Sequence, residues 1–207
     1  MTYPGGDLRD QLAHVGAAAV AAGLVVGSGG NLSAREPGAD ECWVTGTGRW
    51  LQRLSRADFA RVRIADGAVL DGPAPSIEWR LHTATYRARP DVTAIVHLHP
   101  QTSVLVTALG LDITPVTSDH AYYLREVGVV PFHPPGTDAV ADAAAAVAAR
   151  GVNAMVLDHH GCSVLADSVE LAHKRAFNLE EAARLTLAAR TLGVPAPVCP
   201  PWDMTTI

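Results

Sequence analysis

The sequence predicts a layered α/β domain, in which helices cover both sides of a sheet. Alanine-rich segments with helical periodicity alternate along the chain with short apolar segments of strand length. Some of these short segments are joined by a tight turn, which indicates antiparallel pairing, whereas others are separated by a helix. The predicted strand orders are therefore mixed, and we do not expect a purely doubly wound parallel sheet.

Length and composition predict a single domain over residues 1–207. A chain of 207 residues with 48% apolar content can bury a full core, and no segment resembles a long linker. The tail from about residue 194 contains four prolines and is predicted to be irregular. A net charge of -5 offers no electrostatic footprint for nucleic acid or for an anionic membrane, so the expected partner is a small molecule.

The first two structural segments are a helix and a pair of strands. Residues 8–22 are periodic and alanine-rich, and Gly23 follows them as a stop signal. The glycine-rich loop 27–31 then leads into predicted strands at 32–35 and 42–45.

A hairpin, a helix and a strand are predicted next. Asp66-Gly67 lies between two short apolar segments and favours a tight primed turn, since both residues tolerate positive φ. Ser76 is a good N-cap for a helix over 77–88, which Pro90 would end. The apolar segment 91–98 has the length and composition of a strand.

The second half of the chain continues the alternation. A strand is predicted at 128–132, and Thr137 caps the alanine-rich helix that follows it. After another strand at 153–157, the polar segment 167–170 opens a helix of more than twenty residues that ends near Gly193.

Two histidines at the end of the strand 91–98 suggest a metal site. Alternate residues of a strand point to the same face, so His97 and His99 would have Cβ atoms about 6.5–7 Å apart and could share one ion. Such a pair is also common on an ordinary polar strand face. Catalytic zinc takes three protein ligands, and His160, in the turn after an apolar strand, is the best third candidate. Glu78 upstream would supply a carboxylate beside the ion.

Lysine usage limits the chemistry. Lys174 is the only lysine, and it lies in a polar helical segment beside Arg175. A Schiff base requires a lysine amine, so covalent carbonyl chemistry of that kind is disfavoured. Carbanion chemistry in this chain would have to depend on a metal.

Glycine-rich segments predict an anion site. Gly29-Gly30-Asn31 and Thr45-Gly46-Thr47-Gly48 can turn amides and hydroxyls toward a phosphate, and Ser76 at a helix N-terminus would add a favourable dipole. Each segment alone would be an ordinary turn.

Five motifs in one order resemble the class II aldolase/adducin family, and most of all its L-fuculose-phosphate aldolase members. They are Gly-Gly-Asn-Leu-Ser at 29–33, Thr-Gly-Thr-Gly at 45–48, Pro-Ser-x-Glu-x-x-x-His at 75–82, Arg-Pro-Asp-Val-x-x-Ile-Val-His-x-His-Pro at 89–100, and His-Gly at 160–161. The resemblance implies a three-layer α/β/α domain with a central, mostly antiparallel sheet. It also implies a homotetramer with active sites at the subunit interfaces.

The same resemblance implies roles for individual residues. It implies a divalent metal, commonly Zn²⁺, on His97, His99 and His160, and an acid/base role for Glu78, whose pKa we expect burial to raise toward neutral pH. The implied phosphate-binding positions are Gly30, Asn31, Thr45, Gly46 and Ser76. The implied proton donor is a tyrosine, and Tyr122 and Tyr123 are both candidates.

Two positions depart from the family pattern. Ile77 replaces a serine that would bind phosphate, and His159 replaces the asparagine of an Asn-His-Gly motif. Alignment on Gly161 selects His160 as the ligand, which leaves His159 either beside the site or at the surface.

The resemblance implies reversible cleavage of a ketose 1-phosphate to dihydroxyacetone phosphate and an aldehyde. Methylthioribulose-1-phosphate dehydratases retain the glutamate and are the main alternative, followed by decarboxylases of 3-oxo sugar-acid phosphates. Epimerases of the family generally have aspartate at the position of Glu78, and its non-catalytic adducin-type members lose the metal ligands. Three cysteines without CxxC spacing and an N-terminus without a signal pattern predict a reduced, cytoplasmic protein.

Overall fold

The computed structural model describes residues 5–203, so the predictions for the first four and last four residues lie outside it. Eight strands form one sheet in the order β4-β3-β2-β1-β5-β8-β7-β6. The strands are β1 (Asn31–Ala34), β2 (Glu41–Thr45), β3 (Phe59–Arg63), β4 (Val69–Asp71), β5 (Ala94–Leu98), β6 (Val127–Val130), β7 (Ala154–Leu157) and β8 (Gly161–Ala166). Only β6 and β7 pair in parallel, which confirms the predicted mostly antiparallel sheet.

Six α-helices cover the two faces of this sheet in the described residues. They are α1 (Leu8–Ala21), α2 (Trp79–Ala88), α3 (Gln101–Ala108), α4 (Ser118–Leu124), α5 (Asp138–Ala148) and α6 (Val169–Thr191). Val96 of β5 packs in a cluster with α1, α3, α4 and α6, whereas its neighbour Ile95 packs in a second cluster with α2 and α5. The predicted three-layer α/β/α arrangement is therefore confirmed.

The sequence prediction missed α3, α4 and β8. The strand β8 is buried along its whole length and therefore lacks the alternation of polar and apolar residues that marks a half-buried strand. The two helices have eight and seven residues, too few to display a clear helical period.

The predicted start of the second helix was wrong. The helix α2 begins at Trp79, with Glu78 at the N-cap position, and Ser76 does not cap it. The backbone N–H of Ser76 donates to the carbonyl of Thr45 (2.8 Å), which holds this segment extended beside β2. The Ser76 hydroxyl instead accepts a hydrogen bond from the backbone N–H of Glu78 (3.3 Å).

Residues 194–203 contain no helix or strand. Among the described helices, none combines the length and apolar character needed to cross a membrane.

Candidate metal centre and substrate cleft

Three histidines and one glutamate converge at one end of the central strands. His97 lies in β5, His99 directly follows it, His160 lies in the turn before β8, and Glu78 lies at the N-terminus of α2. One nitrogen or oxygen from each of the four side chains lies within 4.8 Å of the others. The Nε2 atoms of His97 and His99 are 3.1 Å apart, and the three imidazole centroids are separated by 5.0–5.1 Å.

Strand pairing brings these histidines together. Leu98 of β5 is paired with Cys162 of β8, so the residues just beyond this pair, His99 and His160, meet at the same end of the sheet. The Nδ1 atom of His97 lies 3.1 Å from the hydroxyl of Ser163, which turns its Nε2 atom toward the cluster.

Gly161 allows the close approach of β5 and β8. A Cβ atom at this position would lie 2.4 Å from the carbonyl oxygen of Leu98 and 2.6 Å from the ring of His99. A side chain at residue 161 would therefore displace the candidate ligand.

The structure shows which of the adjacent histidines His159 and His160 belongs to the metal cluster. The His159 side chain is 61% exposed, whereas His160 contributes to the cluster. His159 has a φ of 54°, a left-handed conformation that asparagine and histidine adopt more readily than most residues. This backbone requirement explains how histidine can replace the asparagine of the family motif.

The donor set fits a divalent metal ion. Imidazole nitrogens with one carboxylate are typical zinc ligands, and three protein nitrogens would leave a coordination position open. Burial lowers the pKa of His99 and of His160 to about 4, so both rings are neutral and able to bind a metal at neutral pH. The Oε1 atom of Glu78 is buried without a hydrogen-bond partner among the described residues, as expected where an ion or substrate completes the site.

Glu78 is directed at the histidines rather than at its own helix. Its carboxylate makes no capping hydrogen bond, and its oxygens lie 3.2 Å from Nε2 of His97 and 3.3 Å from Nε2 of His160. Asn31 donates to its Oε2 atom (2.8 Å). Burial raises the pKa of Glu78, but its interaction with His97, the positive charge that His160 carries in acid and the hydrogen bond from Asn31 outweigh burial and hold this pKa below its usual range. The expectation that burial would raise this pKa overall was wrong.

Three members of the cluster, Glu78, His99 and His160, line a cleft of about 330 Å³. Four of the predicted substrate-binding residues line this cleft, namely Gly30, Asn31, Gly46 and Ser76. Thr45 does not, because its hydroxyl is buried and accepts a hydrogen bond from the backbone N–H of Leu32 (3.2 Å). The backbone N–H of Gly46 donates to the carbonyl of Asp58 (2.7 Å), so that amide is already used within the protein.

Sequence reasoning missed one cation in the cleft. Arg49 lines it and pairs with Asp58 (3.3 Å). Its position directly after the Thr-Gly-Thr-Gly segment was the available signal. Ile77, which departs from the family pattern, also lines the cleft and is 64% exposed.

The two tyrosines lie away from the cleft of their own chain. The carbonyl of Tyr123 accepts hydrogen bonds from Arg175 (3.1 Å) and Asn153 (3.5 Å), and Arg175 also donates to the carbonyl of Leu165. Leu165 lies near the end of β8, whereas His160 directly precedes the first residue of this strand. Tyr123 and the metal cluster therefore lie at opposite ends of β8. Tyr122 packs edge to face against Tyr123, with ring centroids 5.1 Å apart.

The only lysine is also outside the cleft. Lys174 lies on α6, where it forms an exposed ion pair with Glu170 (2.8 Å). No lysine of the chain is therefore available to form a Schiff base in this cleft.

Several known proteins are similar to this chain in sequence and in fold. A family profile described as Class II Aldolase and Adducin N-terminal domain matches residues 10–187. An L-fuculose phosphate aldolase of Methanocaldococcus jannaschii is 34% identical over 163 residues, which are 79% of this chain and 86% of that protein. A 3-oxo-tetronate 4-phosphate decarboxylase of Cupriavidus necator is also 34% identical, over 191 residues that cover 88% and 85% of the two chains.

A solved structure is similar to this chain in both fold and sequence. YgbL from Klebsiella pneumoniae, whose description names aldolase, epimerase and decarboxylase as alternatives, superposes with a TM-score of 0.82 at 35% identity. The match covers 88% of this chain and 89% of that one.

Proposed function

Because this chain belongs to the class II aldolase and adducin family, we propose that it is a metal-dependent aldolase acting on a sugar phosphate. The proposed reaction is the reversible cleavage of a ketose 1-phosphate, or a similar hydroxy-carbonyl compound, to dihydroxyacetone phosphate and an aldehyde. The observation that carries this proposal is the convergence of His97, His99, His160 and Glu78 in one cluster, three of whose members line the cleft.

The residues of the cluster suit this reaction. A divalent ion, in our proposal Zn²⁺, would polarise the substrate carbonyl and stabilise the negative charge that develops as the C–C bond breaks. Glu78, ionised and beside the ligands, accepts the proton of the hydroxyl whose carbon becomes the aldehyde. The electron pair of the broken bond remains on the carbon beside the carbonyl. A proton delivered to that carbon, by Glu78 or by a tyrosine that takes its proton back from Glu78 afterwards, gives the ketone product.

The walls of the cleft suit a phosphorylated substrate. Gly30 and Asn31 form one wall, and Gly46, Arg49 and Ser76 form another part of it. A guanidinium donates in a fork geometry that matches phosphate oxygens. We propose that Arg49 takes part in phosphate binding in place of the hydroxyl that is absent at Ile77.

A 3-oxo sugar-acid phosphate decarboxylase is the second candidate. It is favoured because the decarboxylase and aldolase relatives are equally similar to this chain, at 34% identity. The chemistry is related: the bond that breaks is again next to a carbonyl carbon, but the leaving group is CO₂ and no hydroxyl proton has to be removed. Glu78, ionised before the reaction, would then take up a proton from water and deliver it to the carbon.

We also propose that the active protein is a cytoplasmic homotetramer. All three cysteines are free, in keeping with a reduced compartment. The apolar side chains of Val26, Ile77 and Phe132 are 76%, 64% and 55% exposed, as expected for surfaces that another subunit covers. Tyr122 or Tyr123 would then act as a proton donor in the cleft of a neighbouring subunit.

A substrate panel tests the proposed activity. The zinc-loaded protein is incubated with ketose 1-phosphates and 3-oxo sugar-acid phosphates, and the products are identified by mass spectrometry. We expect two fragments whose masses add up to that of a ketose 1-phosphate. Loss of CO₂ would support the decarboxylase, loss of water would indicate a dehydratase, and no change in any substrate would contradict an enzymatic role.

Variants of two glutamates test the assignment of the acid/base group. Glu78→Gln should retain the metal, measured by elemental analysis, and lower kcat by roughly 10²–10⁴-fold. Glu170→Gln is the matched control, because Glu170 forms only the exposed pair with Lys174. Unchanged turnover in Glu78→Gln would show that the assignment is wrong.

A further inference from the structure

A chain of buried hydrogen bonds runs from Glu78 into the core. Asn31 Nδ2 donates to Glu78 Oε2 (2.8 Å), and Asn31 Oδ1 lies 2.5 Å from His82 Nε2. On the other side of the ring, His82 Nδ1 lies 2.6 Å from Ser33 Oγ, which lies 2.8 Å from the hydroxyl of Tyr86. All five side chains are at most 5% exposed.

Two periodicities bring these residues face to face. Glu78, His82 and Tyr86 are spaced four residues apart at the start of and along α2, so they share one side of the helix. Asn31 and Ser33 are alternate residues of β1 and therefore point to the same face of the sheet. The helix and the strand thus contribute three and two members of the hydrogen-bond chain.

While Glu78 is ionised, one set of proton positions satisfies the chain, and in it Tyr86 donates to Ser33 rather than to the carbonyl of Thr93, which lies 3.4 Å from the Tyr86 hydroxyl. The Asn31 amide donates to the carboxylate, so its oxygen must accept the proton of His82 Nε2. A neutral His82 then accepts at Nδ1 from the Ser33 hydroxyl, which accepts in turn from Tyr86. Burial lowers the pKa of His82 to about 3, in agreement with a neutral ring.

We propose that Tyr86, Ser33, His82 and Asn31 form a positioning chain that fixes the orientation of the Glu78 carboxylate. If the Asn31 amide were rotated by half a turn, its oxygen would face the carboxylate oxygen. It would then no longer accept the proton of His82. The His82 tautomer excludes this rotation. Glu78 Oε2 is therefore held by Asn31, while Oε1 remains directed toward His160 and the cleft.

The chain positions Glu78 and does not transfer its proton. A neutral amide such as Asn31 neither accepts nor releases a proton readily, so the catalytic proton remains on Glu78. His82, Ser33 and Tyr86 do not line the cleft and make no hydrogen bond to the carboxylate, so they act through Asn31. This inference rests on the acid/base role proposed for Glu78, but the hydrogen-bond chain can be tested without a substrate.

The first measurement is the tautomer of His82 in the full-length, zinc-loaded protein. Nitrogen NMR of histidine-labelled protein should show the ring proton on Nε2 alone. Ser33→Ala removes the donor to Nδ1, and we expect this variant to show a mixture of tautomers. Thr85→Val is the matched control. It also removes a buried hydroxyl, but this hydroxyl lies on α2 and donates only to the carbonyl of Leu81 (2.8 Å).

Either of two NMR results would overturn the proposal. They are a His82 proton on Nδ1 in the unsubstituted protein, and an unchanged tautomer in Ser33→Ala. The first would reverse the donor and acceptor order along the chain. The second would show that Ser33 does not set the tautomer.

The second measurement is turnover on the substrate identified by the panel. Ser33→Ala should lower kcat roughly tenfold, while KM and bound metal stay within about twofold, because substrate binding is not altered. Thr85→Val should leave kcat unchanged. An equal loss of kcat in the two variants would indicate a merely structural effect and overturn the positioning role.

The two proposals can fail separately. A protein with the Nε2 tautomer, its loss in Ser33→Ala and no activity on any substrate would contradict the proposed function while supporting the hydrogen-bond chain. An active protein in which Ser33→Ala retains full kcat would contradict the positioning chain alone.

Discussion

At the scale of single residues, His82 makes stability depend on pH. Burial, followed by the charge of His97, lowers the pKa of His82 to about 3, whereas the charge of Glu78 opposes this shift. A histidine in the unfolded chain has a pKa of about 6.5. Between these two values the unfolded state binds a proton that the folded state does not bind. The stabilisation from neutral His82 is therefore complete above pH ~6.5 and is lost as the pH falls toward about 3.

Substitution of this histidine should flatten the acid limb of the stability profile. We expect the free energy of unfolding of the unsubstituted protein to fall by up to about 1.4 kcal/mol per pH unit more than that of His82→Gln between about pH 6 and pH 5. Urea unfolding in the presence of a chelator measures both proteins without a contribution from metal release. Parallel profiles for the two proteins would contradict the assignment of a neutral, buried His82.

Residue patterns identified part of the candidate site before the structure was known. The spacing of His97 and His99, the turn that contains His160 and the motif around Glu78 selected all four residues that the structure brings together. His82 was part of a quoted motif, but no role followed from it. Its partners Ser33 and Asn31 are about 50 residues away along the chain and meet it only when β1 packs against α2.

At the scale of secondary structure, the pairing of β5 with β8 determines the separation of the candidate ligands. A Cβ atom on Gly161 would approach the backbone of Leu98 and the ring of His99 to 2.4 and 2.6 Å, so Gly161→Ala has to shift one strand relative to the other. We expect a loss of about 1–3 kcal/mol in stability and at least roughly tenfold weaker metal binding. Chemical unfolding and metal titration measure the two effects.

Gly128→Ala is the control for this substitution. A Cβ atom at Gly128 would lie 2.5 Å from the side chain of Val147, in the packing between β6 and α5. This variant should lose stability but bind metal normally. Equal losses of metal affinity in both variants would show that general destabilisation, rather than the geometry of β5 and β8, controls the site.

Sequence patterns predicted most of the longer elements but not all of their boundaries. Thr137 was recognisable as an N-cap, and its hydroxyl accepts the expected hydrogen bond from the backbone N–H of Val140. The segment 167–170 was recognisable as the start of a helix, which Ser168 caps by accepting from the backbone N–H of Leu171. Ser76 has the same side-chain chemistry but lies two residues before the N-cap residue of α2, where its backbone N–H donates to the carbonyl of Thr45 in β2. Tertiary contacts decided that boundary, and a local pattern cannot report them.

At the scale of the whole molecule, the position of the tyrosines provides a test of the proposed tetramer, because a tyrosine that acts in the cleft would have to come from a neighbouring subunit. Glu78→Gln and the double variant Tyr122→Phe/Tyr123→Phe should each have little activity alone. Mixed tetramers made by co-expression should regain measurable activity, because some sites combine an intact cluster with intact tyrosines from the neighbour. Native mass spectrometry verifies that mixed tetramers form.

A second pair of variants controls for nonspecific recovery. Glu78 and His97 belong to the cluster of one chain, so mixing Glu78→Gln with His97→Ala creates no intact site. Activity in this control, or none in the tyrosine mixture despite subunit exchange, would contradict a site shared between subunits.

The central place of β5 also has a consequence for the synthesis of the chain. His97 pairs with Asn31 on one side and with Ser163 on the other, and each partner is 66 residues away. As the polypeptide leaves the ribosome, β5 can therefore pair with β1 while its opposite edge stays open until β8 has been made. An open apolar edge of this kind invites aggregation, and contacts so distant in sequence slow folding. Uptake of the metal has to wait for the last strand, so a complete metal centre would indicate that the sheet has closed.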